Sequence, residues 1–304
     1  MISVLKICTK DQKGLIYRIS DVIFKYHINI VKNDEFVGEG MFFLKKITPS
    51  ELELNEFIKI INEMSGIDLT DKKNILALKL NKFLEGTNTK NFSEFLGKLK
   101  SNRQLKQETL DFVTIGETYF LRELAQLKEI IYYAKSLEKR VNILSAPCSS
   151  GEEVYSLALL AAQNFIKDMY ILGVDINSSV IEKAKLGKYQ GRTLQRLSES
   201  EKRRFFLESE DKFYTINKNE LCTCKFELCN VFEEKFSRLG KFDIIASRNM
   251  IIYFDHESKL KLMERFHRIL NDKGRLYVGN ADLIPETIYF KKIFSPRGVY
   301  YEKV

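Results

Sequence analysis

From residue 140 onward, short apolar runs alternate with longer segments in which apolar residues recur every three or four positions. Runs of the first kind are typical of buried strands, and segments of the second kind are typical of amphipathic helices. The runs stand at residues 140–145, 170–174, 242–246 and 274–279. Strands that alternate with helices in this way predict an α/β domain with a parallel, doubly wound sheet.

Between residues 48 and 110 the apolar spacing is helical. The run T-P-S-E that ends at Glu51 is a helix start signal, and apolar residues recur at helical spacing from Leu54. We expect several short helices, broken at Gly66, at residues 86–88 and at Gly97, with Lys and Arg distributed along them. The pattern predicts a small basic all-α domain at residues 47–110.

The first residues have a third pattern. Residues 2–8 read as a strand, 14–27 as an amphipathic helix, and 29–37 and 41–47 as two further strands. The run T-K-D-Q-K-G-L-I-Y-R-I-S-D-V-I-F-K-Y-H-I-N-I resembles the opening of an ACT domain of formyltetrahydrofolate deformylases. The predicted organisation is therefore a truncated ACT-like β-α-β-β segment at 1–46, the helical domain at 47–110, and an α/β domain at 111–304.

Composition narrows the classes of protein to consider. Hydrophobic residues are 44% and charged residues 30% of the 304 residues, which is a globular composition. No apolar run is long enough to suggest a membrane span and no secretory leader is evident, so we expect a cytoplasmic protein. Five Cys and three His favour reduced thiols and no metal site over a disulfide framework or a zinc site. The net charge of +8 suits an acidic partner, or it reflects only solvated Lys side chains.

Candidate chemistry begins where the strand at 140–145 runs into A-P-C-S-S-G-E-E and a helix. In a Rossmann-like sheet a ligand binds at this turn, where Gly151 permits close backbone approach and the helix presents free N–H groups. The turn is not G-x-G-x-x-G, and Glu152 and Glu153 would repel phosphate but attract an ammonium group. The alternative is a helix that merely carries favourable acidic residues in its first turn.

A second candidate residue ends the next strand. Asp175 follows the apolar run at 170–174 and lies about 24 residues beyond Gly151, close to the spacing at which an acid holds an adenosine ribose. It could instead serve as a local cap, although Asn177 or Ser178 could cap the following helix. Together, the glycine turn and the acid favour a nucleoside-containing ligand.

Four blocks in this order resemble the CheR family, the chemotaxis receptor methyltransferases. They are V-T-I-G-E-T-Y-F-L-R-E, S-A-P-C-S-S-G-E-E-V-Y-S-L-A, G-V-D-I-N-S-S-V-I-E-K-A-K-L-G-K-Y and F-D-I-I-A-S-R-N-M-I-I-Y-F-D. The likeness spans about residues 44–304. It implies a class I S-adenosylmethionine-dependent methyltransferase sheet with a small antiparallel β insertion at about 207–229, and S-adenosylhomocysteine as the product of the cofactor.

The resemblance also implies site residues. Those expected at the cofactor are Gly116, Thr118, Arg122, Glu153 (with Glu152 as its substitute), Asp175, Asn230, Val231, Ser247 and Arg248. Thr118 and Arg122 would lie near the methionine end, Glu153 at its amino group and Asp175 at the ribose. The pairs Asn230 with Val231 and Ser247 with Arg248 would line the adenine and methionine portions. Tyr253 would face the transferring methyl group, and Arg122 or Arg248 would steer the incoming carboxylate, which makes these three the expected catalytic residues.

Two departures from the family pattern have consequences. Gly116 stands where many members have an Asn that helps to bind the cofactor, so one polar contact is expected to be missing or supplied by backbone. The region at 207–229 is compact and lacks a Gly-rich loop. We therefore expect binding of a receptor tail peptide there to be absent or weak.

The implied reaction is methyl transfer to glutamate side chains in the cytoplasmic helical region of chemoreceptors, giving glutamyl methyl esters. A glutamate with a reference pKa of about 4.3 is already an ionised nucleophile at neutral pH, so no strong base is required. Two alternatives remain. A nucleic-acid methyltransferase would suit the basic charge, but no N-P-P-Y motif or RNA-binding module accompanies it. The other alternative is a non-catalytic protein that binds S-adenosylmethionine.

Overall fold

The computed structural model describes residues 49–85, 87, 89–296 and 298–304. Before them it describes only the backbone of four strands, each two residues long. Those four strands are β1 (Asn33–Asp34), β2 (Val37–Gly38), β3 (Met41–Phe42) and β4 (Lys45–Lys46). β1 pairs with β4 and β2 pairs with β3, both antiparallel. The predicted strand at 2–8 and helix at 14–27 lie outside the described residues, so the ACT-like interpretation stays a prediction.

The chain divides into two compact units. One comprises Met1–Ile60 and Leu69–Lys106, and the other comprises Ile61–Asp68 and Gln107–Val304. The short segment Ile61–Asp68 belongs by its contacts to the second unit, although it lies in the helical part of the sequence.

The helices of the N-terminal region are α1 (Glu51–Ser65), α2 (Lys73–Glu85), α3 (Phe92–Ser101) and α4 (Arg103–Val113). The start signal is confirmed, because the Ser50 hydroxyl and the Glu53 carboxylate cap α1 reciprocally. The rings of Phe57, Phe92 and Phe95 pack within 5.5 to 6.2 Å of one another and form the aromatic core of the first unit.

The prediction of a break at Gly97 is wrong. Gly97 lies inside α3, where an added Cβ would meet nothing within 4 Å. A glycine in a helix costs only about 1 kcal/mol. The buried face of α3, formed by Phe92, Phe95, Leu96 and Leu99, outweighs that cost.

The second unit is built on a seven-stranded sheet with the strand order β10-β6-β5-β11-β12-β14-β13. Its strands are β5 (Val141–Ser145), β6 (Met169–Asp175), β10 (Thr223–Leu228), β11 (Phe242–Ser247), β12 (Leu270–Val278), β13 (Phe290–Ser295) and β14 (Gly298–Lys303). The first five strands in this order are parallel, and β14 is antiparallel to both of its neighbours. All six residues of β11 are buried, as is typical of a central strand of a parallel sheet that is covered on both faces.

The helices of this unit are α5 (Leu124–Ser136), α6 (Glu152–Gln163), α7 (Ser178–Leu186), α8 (Glu199–Phe205), α9 (Glu234–Ser237) and α10 (His256–Ile269). They alternate with the strands along the chain, so the predicted α/β fold is confirmed. From β5 the chain passes to β6 on one side, whereas β11 lies on the other side. The order of strands therefore reverses at β5, and the crevice at the carboxyl ends of β5 and β11 is the expected ligand site.

A small antiparallel sheet stands apart from the large one. It has the order β7-β9-β8, with β7 (Lys188–Tyr189), β8 (Phe206–Glu208) and β9 (Tyr214–Ile216). It begins earlier than the segment 207–229 expected from the sequence, because a two-residue strand such as β7 is too short to show a period. Thr223–Leu228 instead pairs with β6 over six residues and is the edge strand of the large sheet.

Candidate active site

Asp175, the last residue of β6, is held by two backbone N–H groups. Ser149 N–H donates to Oδ2 and Asn177 N–H donates to Oδ1, each at 2.9 Å. The residue is 8% exposed. Burial raises the pKa of Asp175 above its ordinary value, although the bonds from Asn177 and Ser149 act in the opposite direction. The carboxylate is thus fixed in one orientation at the carboxyl edge of the sheet.

Ser149 joins three segments at this edge. Its N–H reaches Asp175, and its hydroxyl donates to the carbonyl of Gly116 at 3.1 Å. Its φ is 47°, a left-handed conformation that a non-glycine residue adopts at some cost. Ser149 therefore joins the turn after β5, the end of β6 and the loop before α5, although no sequence pattern marks this residue.

Gly151 occupies its predicted place at the start of α6. Its φ is +94°, and an added Cβ would lie 3.0 Å from both the Ala184 Cβ and the Tyr189 hydroxyl. Both the backbone conformation and the crowding exclude a side chain here. The tyrosine hydroxyl donates to the carbonyl of Ser150 at 2.6 Å and so fixes the same turn.

The two acidic residues that open α6 have different surroundings. Glu152 is 1% exposed and its Oε2 accepts from the Ser150 hydroxyl at 2.7 Å. Glu153 keeps 12% of its side chain exposed. Glu153 Oε1 accepts from the Ser145 hydroxyl at 2.9 Å. Burial raises the pKa of both groups, and for Glu153 the nearby Arg248 opposes that effect. Glu153 is thus the one with surface left for a ligand.

Arg248 follows β11 and is enclosed by acceptors. Its Nη1 donates to Glu153 Oε2 at 2.7 Å, its Nη2 donates to the Arg122 carbonyl, and Glu123 Oε2 lies 3.4 Å away. The side chain is 1% exposed. This guanidinium joins α6 to the loop before α5, and its side chain leaves almost no surface that an incoming carboxylate could reach.

Arg122 lies in the loop before α5 and is only partly buried. Its Nη1 donates to the carbonyl of Glu117 at 3.0 Å, and its guanidinium lies 5.7 Å from the Tyr119 ring centroid. Arg196 lies over the same ring at 4.9 Å. Thr118 is also partly buried in this loop. Two guanidinium groups therefore stand around one partly buried ring in this loop.

Asn230 and Val231, after β10, are 7% and 8% exposed. The Asn230 amide donates to the carbonyl of Met64 at 2.7 Å, and its Oδ1 accepts from Phe232 N–H at 2.9 Å. Gly66 allows this approach, because a Cβ there would lie 2.5 Å from the Phe232 ring. The segment Ile61–Asp68 is therefore packed against a predicted cofactor residue, which sequence periodicity could not reveal.

Tyr253 closes a short 3-10 turn, Ile251–Tyr253, and is partly buried. Its carbonyl accepts from Asp68 N–H at 2.8 Å. Ile67 forms an antiparallel bridge with Phe254 next to it. The predicted methyl-facing residue is thus held from the side of the Ile61–Asp68 segment.

The fit of the site to S-adenosylmethionine can be judged from polar groups whose bonding capacity is unused. Within the part of the chain that the structure describes, Ser247 Oγ and Arg248 Nε are buried and have no hydrogen-bond partner. Both stand at the carboxyl end of β11, while the Asp175 carboxylate ends β6 and the Glu153 carboxylate lies in the first turn of α6. Hydroxyl and ammonium groups of the cofactor suit these carboxylates, so the residues present fit it.

Among the described residues, no three His, Cys, Asp or Glu side chains are grouped so as to hold a metal ion. The same part of the chain contains no helix that is both long and apolar enough to cross a membrane.

Comparison with known proteins gives two family matches. Residues 116–299 match the family described as CheR methyltransferase, SAM binding domain, and residues 52–114 match CheR methyltransferase, all-alpha domain. A chemotaxis protein methyltransferase of Borreliella burgdorferi is 32% identical over 254 residues, which cover 76% of this chain and 88% of that protein. Chemotaxis protein methyltransferase 2 of Vibrio cholerae is 30% identical over 64% of this chain and 73% of its own length. The chemotaxis protein methyltransferase of Listeria innocua is 28% identical over 75% of this chain and 88% of its own length.

Proposed function

Because this chain belongs to the CheR methyltransferase family, we propose that it methylates glutamate side chains in the cytoplasmic helical region of bacterial chemoreceptors. The chain is an S-adenosylmethionine-dependent methyltransferase. The product of the proposed reaction is a glutamyl methyl ester, and its role is chemotactic adaptation. The relatives that share most of their length with this chain are named chemotaxis protein methyltransferases, which supports a receptor as the substrate.

The observation that carries the proposal is the oriented carboxylate of Asp175, which lies beside the turn before Gly151 at the carboxyl edge of the sheet. Most of this sheet lies within residues 116–299, which match the family's SAM binding domain. We assign the ribose hydroxyls of the cofactor to Asp175 and its ammonium group to Glu153. The proposed cofactor set is completed by Gly116, Thr118, Arg122, Asn230, Val231, Ser247 and Arg248. The Ser149 hydroxyl already bonds the Gly116 carbonyl, which supports a backbone substitute for the family's Asn.

When bound, S-adenosylmethionine supplies a methyl group made electrophilic by the sulfonium. The chain's own part is to place an ionised substrate carboxylate in line with that methyl group, and orientation of this kind can contribute about 7–11 kcal/mol. Arg122, at the partly open surface beside Tyr119, attracts the carboxylate. Tyr253 borders the position of transfer, and Arg248 keeps the surrounding loops in place.

The N-terminal helical unit is proposed as the surface that meets acidic receptor helices. Lys79, Lys82, Lys100 and Arg103 are exposed on it. The net charge of +8 supports attraction to an acidic partner. Since the antiparallel sheet β7-β9-β8 has only short strands, we propose that binding of a receptor tail peptide is weak or absent. Because the proposed substrate region lies on the cytoplasmic side of the receptors, we propose that the protein is located in the cytoplasm.

The test is transfer of radiolabelled methyl from S-adenosylmethionine to receptor cytoplasmic fragments, followed by mild alkali. We expect label on glutamate that leaves as methanol. A receptor fragment whose candidate glutamates are changed to Ala is the matched control and should take up no label.

Alkali-stable label, or label on added RNA, would contradict the proposal and favour a nucleic-acid methyltransferase. Cofactor binding without transfer to any fragment would favour a non-catalytic role.

A further inference from the structure

Two loops at the carboxyl edge of the sheet are joined through one carboxylate that the assigned functions do not use. Asp282 lies in the loop after β12 and is 5% exposed. Its Oδ2 accepts from Asn249 N–H, at 2.5 Å, and from Gly279 N–H, at 2.9 Å. Its Oδ1 accepts from Ile252 N–H at 3.1 Å. One side chain therefore holds the loop after β11 at two points and the end of β12 at a third.

The surrounding backbone is shaped to permit this contact. A Cβ at Gly279 would lie 2.8 Å from both Asn249 N and Asp282 Oδ2, so only glycine lets the two loops approach. Asn249 has a φ of 60°, a left-handed conformation that turns its N–H toward the carboxylate. A strained residue, a required glycine and a buried charge thus meet at one point, and such clusters are typical of functional sites.

The loop that Asp282 holds is the one that carries Tyr253. Ile252 stands in the same 3-10 turn, and the Tyr253 N–H closes that turn on the carbonyl of Met250 at 3.0 Å. On the other side, the Tyr253 carbonyl is bonded by Asp68 N–H. The backbone on both sides of Tyr253 is therefore fixed by a contact from another segment.

We propose that Asp282 is a positioning residue for methyl transfer, because its carboxylate fixes the loop 249–252 and so sets where Tyr253 lies. The inference rests on the proposed function of Tyr253 at the methyl group. Asp282 acts on the reaction through Tyr253, since its own oxygens are occupied by backbone N–H groups. The cofactor residues Asp175 and Glu153 are held by other contacts, so their affinity for the cofactor does not depend on Asp282.

The first test compares Asp282→Asn with Asp243→Asn. Asp243 is a matched control because it is also buried, at 4% exposure, and also accepts from a backbone N–H, that of Asn142. It stands near the start of β11, at the opposite end of the strand. Asn at 282 keeps one acceptor oxygen and turns an NH₂ group toward N–H donors, so the contact is broken.

We expect Asp282→Asn to lower kcat about 10-fold or more and to change the dissociation constant of S-adenosylmethionine less than about threefold, since hydrogen bonds to charged groups are among the strong ones. Asp243→Asn should leave kcat per folded molecule within about twofold. In a cycle with Tyr253→Phe, the loss from Asp282→Asn should shrink, because both changes act on one group. Equal effects of the two Asn variants, or additive losses in the cycle, would overturn the proposal.

A second variant and a second measurement distinguish loss of the positioning contact from misfolding and from failure of the proposed function. Gly279→Ala leaves the carboxylate in place but forces the loops apart, so it should reproduce the selective loss of kcat. Hydrogen exchange of the amides in peptides spanning 248–254 requires no substrate. Exchange should rise about 10-fold or more in Asp282→Asn and Gly279→Ala and stay unchanged in Asp243→Asn. If the wild-type protein does not methylate receptors, the proposed function fails, and unchanged exchange in this segment would separately refute the positioning role.

Discussion

At the scale of single residues, the proposed cofactor site contains carboxyl groups in buried positions, where the ionised form is costly. Burial raises the pKa of Asp175, and in the folded protein its protonated form is therefore favoured relative to the unfolded chain. The stability that Asp175 contributes through this shift is full at low pH and is lost as pH rises through the raised pKa. The proposed binding of the cofactor has the opposite requirement, because the ribose hydroxyls that we assign to Asp175 would donate to its ionised carboxylate.

This opposition predicts a pH dependence of binding. As the pH is lowered from an upper value, at which Asp175 is ionised, toward its raised pKa, the dissociation constant of S-adenosylmethionine should rise. The rise should begin at a higher pH than for an ordinary aspartate because the pKa is raised. Asp175→Asn should weaken binding about 10-fold at the upper pH, where a charged hydrogen bond is lost, and should flatten the profile. Calorimetric titration at several pH values measures both quantities.

The control for this prediction is Asp168→Asn. The Asp168 side chain is 75% exposed, and its nearest partner is Arg140 at 3.8 Å. This variant should keep the wild-type profile. A profile of wild-type slope in Asp175→Asn would show that another group controls binding.

Motifs predicted some of these residues and could not predict others. Gly151 and Asp175 could be predicted from the sequence because a turn after a strand and an acidic residue at the end of the next strand are local patterns. Ser149 and Asp282 were missed, since their roles depend on partners that are 26 and 33 residues away in sequence. Arg248 was placed in the site by resemblance, but only its enclosure by Glu153 and Glu123 indicates that it holds loops together.

At the scale of elements, α4 and α7 are joined by a polar contact that fixes the loop after β6. Asp111 Oδ1 accepts from Ser178 N–H at 2.7 Å and its Oδ2 accepts from the Ser178 hydroxyl. Gln107 reaches the carbonyl of Ile176 at 2.8 Å from the same helix. The carboxylate lies at the amino end of α7, where negative charge is favoured.

Asp111→Ala should therefore destabilise the protein by about 2 kcal/mol, because charge-assisted bonds to the amino end of a helix are lost and Ser178 N–H is left without this acceptor. Urea denaturation measures the change. Asp168→Ala, which removes only an exposed pair, should cost less than about 1 kcal/mol. Equal losses in the two variants would mean that the contact between α4 and α7 adds no more than a surface pair.

Some element boundaries could be predicted from local sequence signals, and others could not be predicted from the spacing of apolar residues. The starts of α1 and α6 were predicted from a capping signal and a glycine turn. Gly97 misled the prediction because packing of α3 outweighs the intrinsic cost of glycine. The strand β7 has two residues, and its membership in a sheet is decided by its pairing with β9.

At the scale of the whole molecule, the positive charge predicts how the enzyme responds to salt. With a net charge of +8, the KM for an acidic receptor fragment should rise about 10-fold or more between about 50 and 300 mM NaCl, because salt screens exposed charges. The dissociation constant of S-adenosylmethionine should change less than about twofold, since the carboxylates assigned to it, those of Asp175 and Glu153, are largely buried. Initial rates at several receptor concentrations measure the effect.

Charge-reversing variants locate the source of this dependence. Lys79→Glu combined with Lys82→Glu, on the exposed part of α2, should raise the KM for receptor and reduce its salt dependence. Lys291→Glu, on exposed β13, is the matched control and should change little. If the control has the larger effect, the receptor meets a different surface from the one proposed.

The strand order determines when the last strands can pair during synthesis of the polypeptide. β14 is synthesised after β13, yet it lies between β12 and β13 in the sheet and pairs with both. Among the described residues, β13 pairs only with β14, so it cannot join the sheet before its successor has left the ribosome. Until then β12 has an open edge beside Leu276 and Tyr277, a natural place for a chaperone to bind or for nascent chains to aggregate.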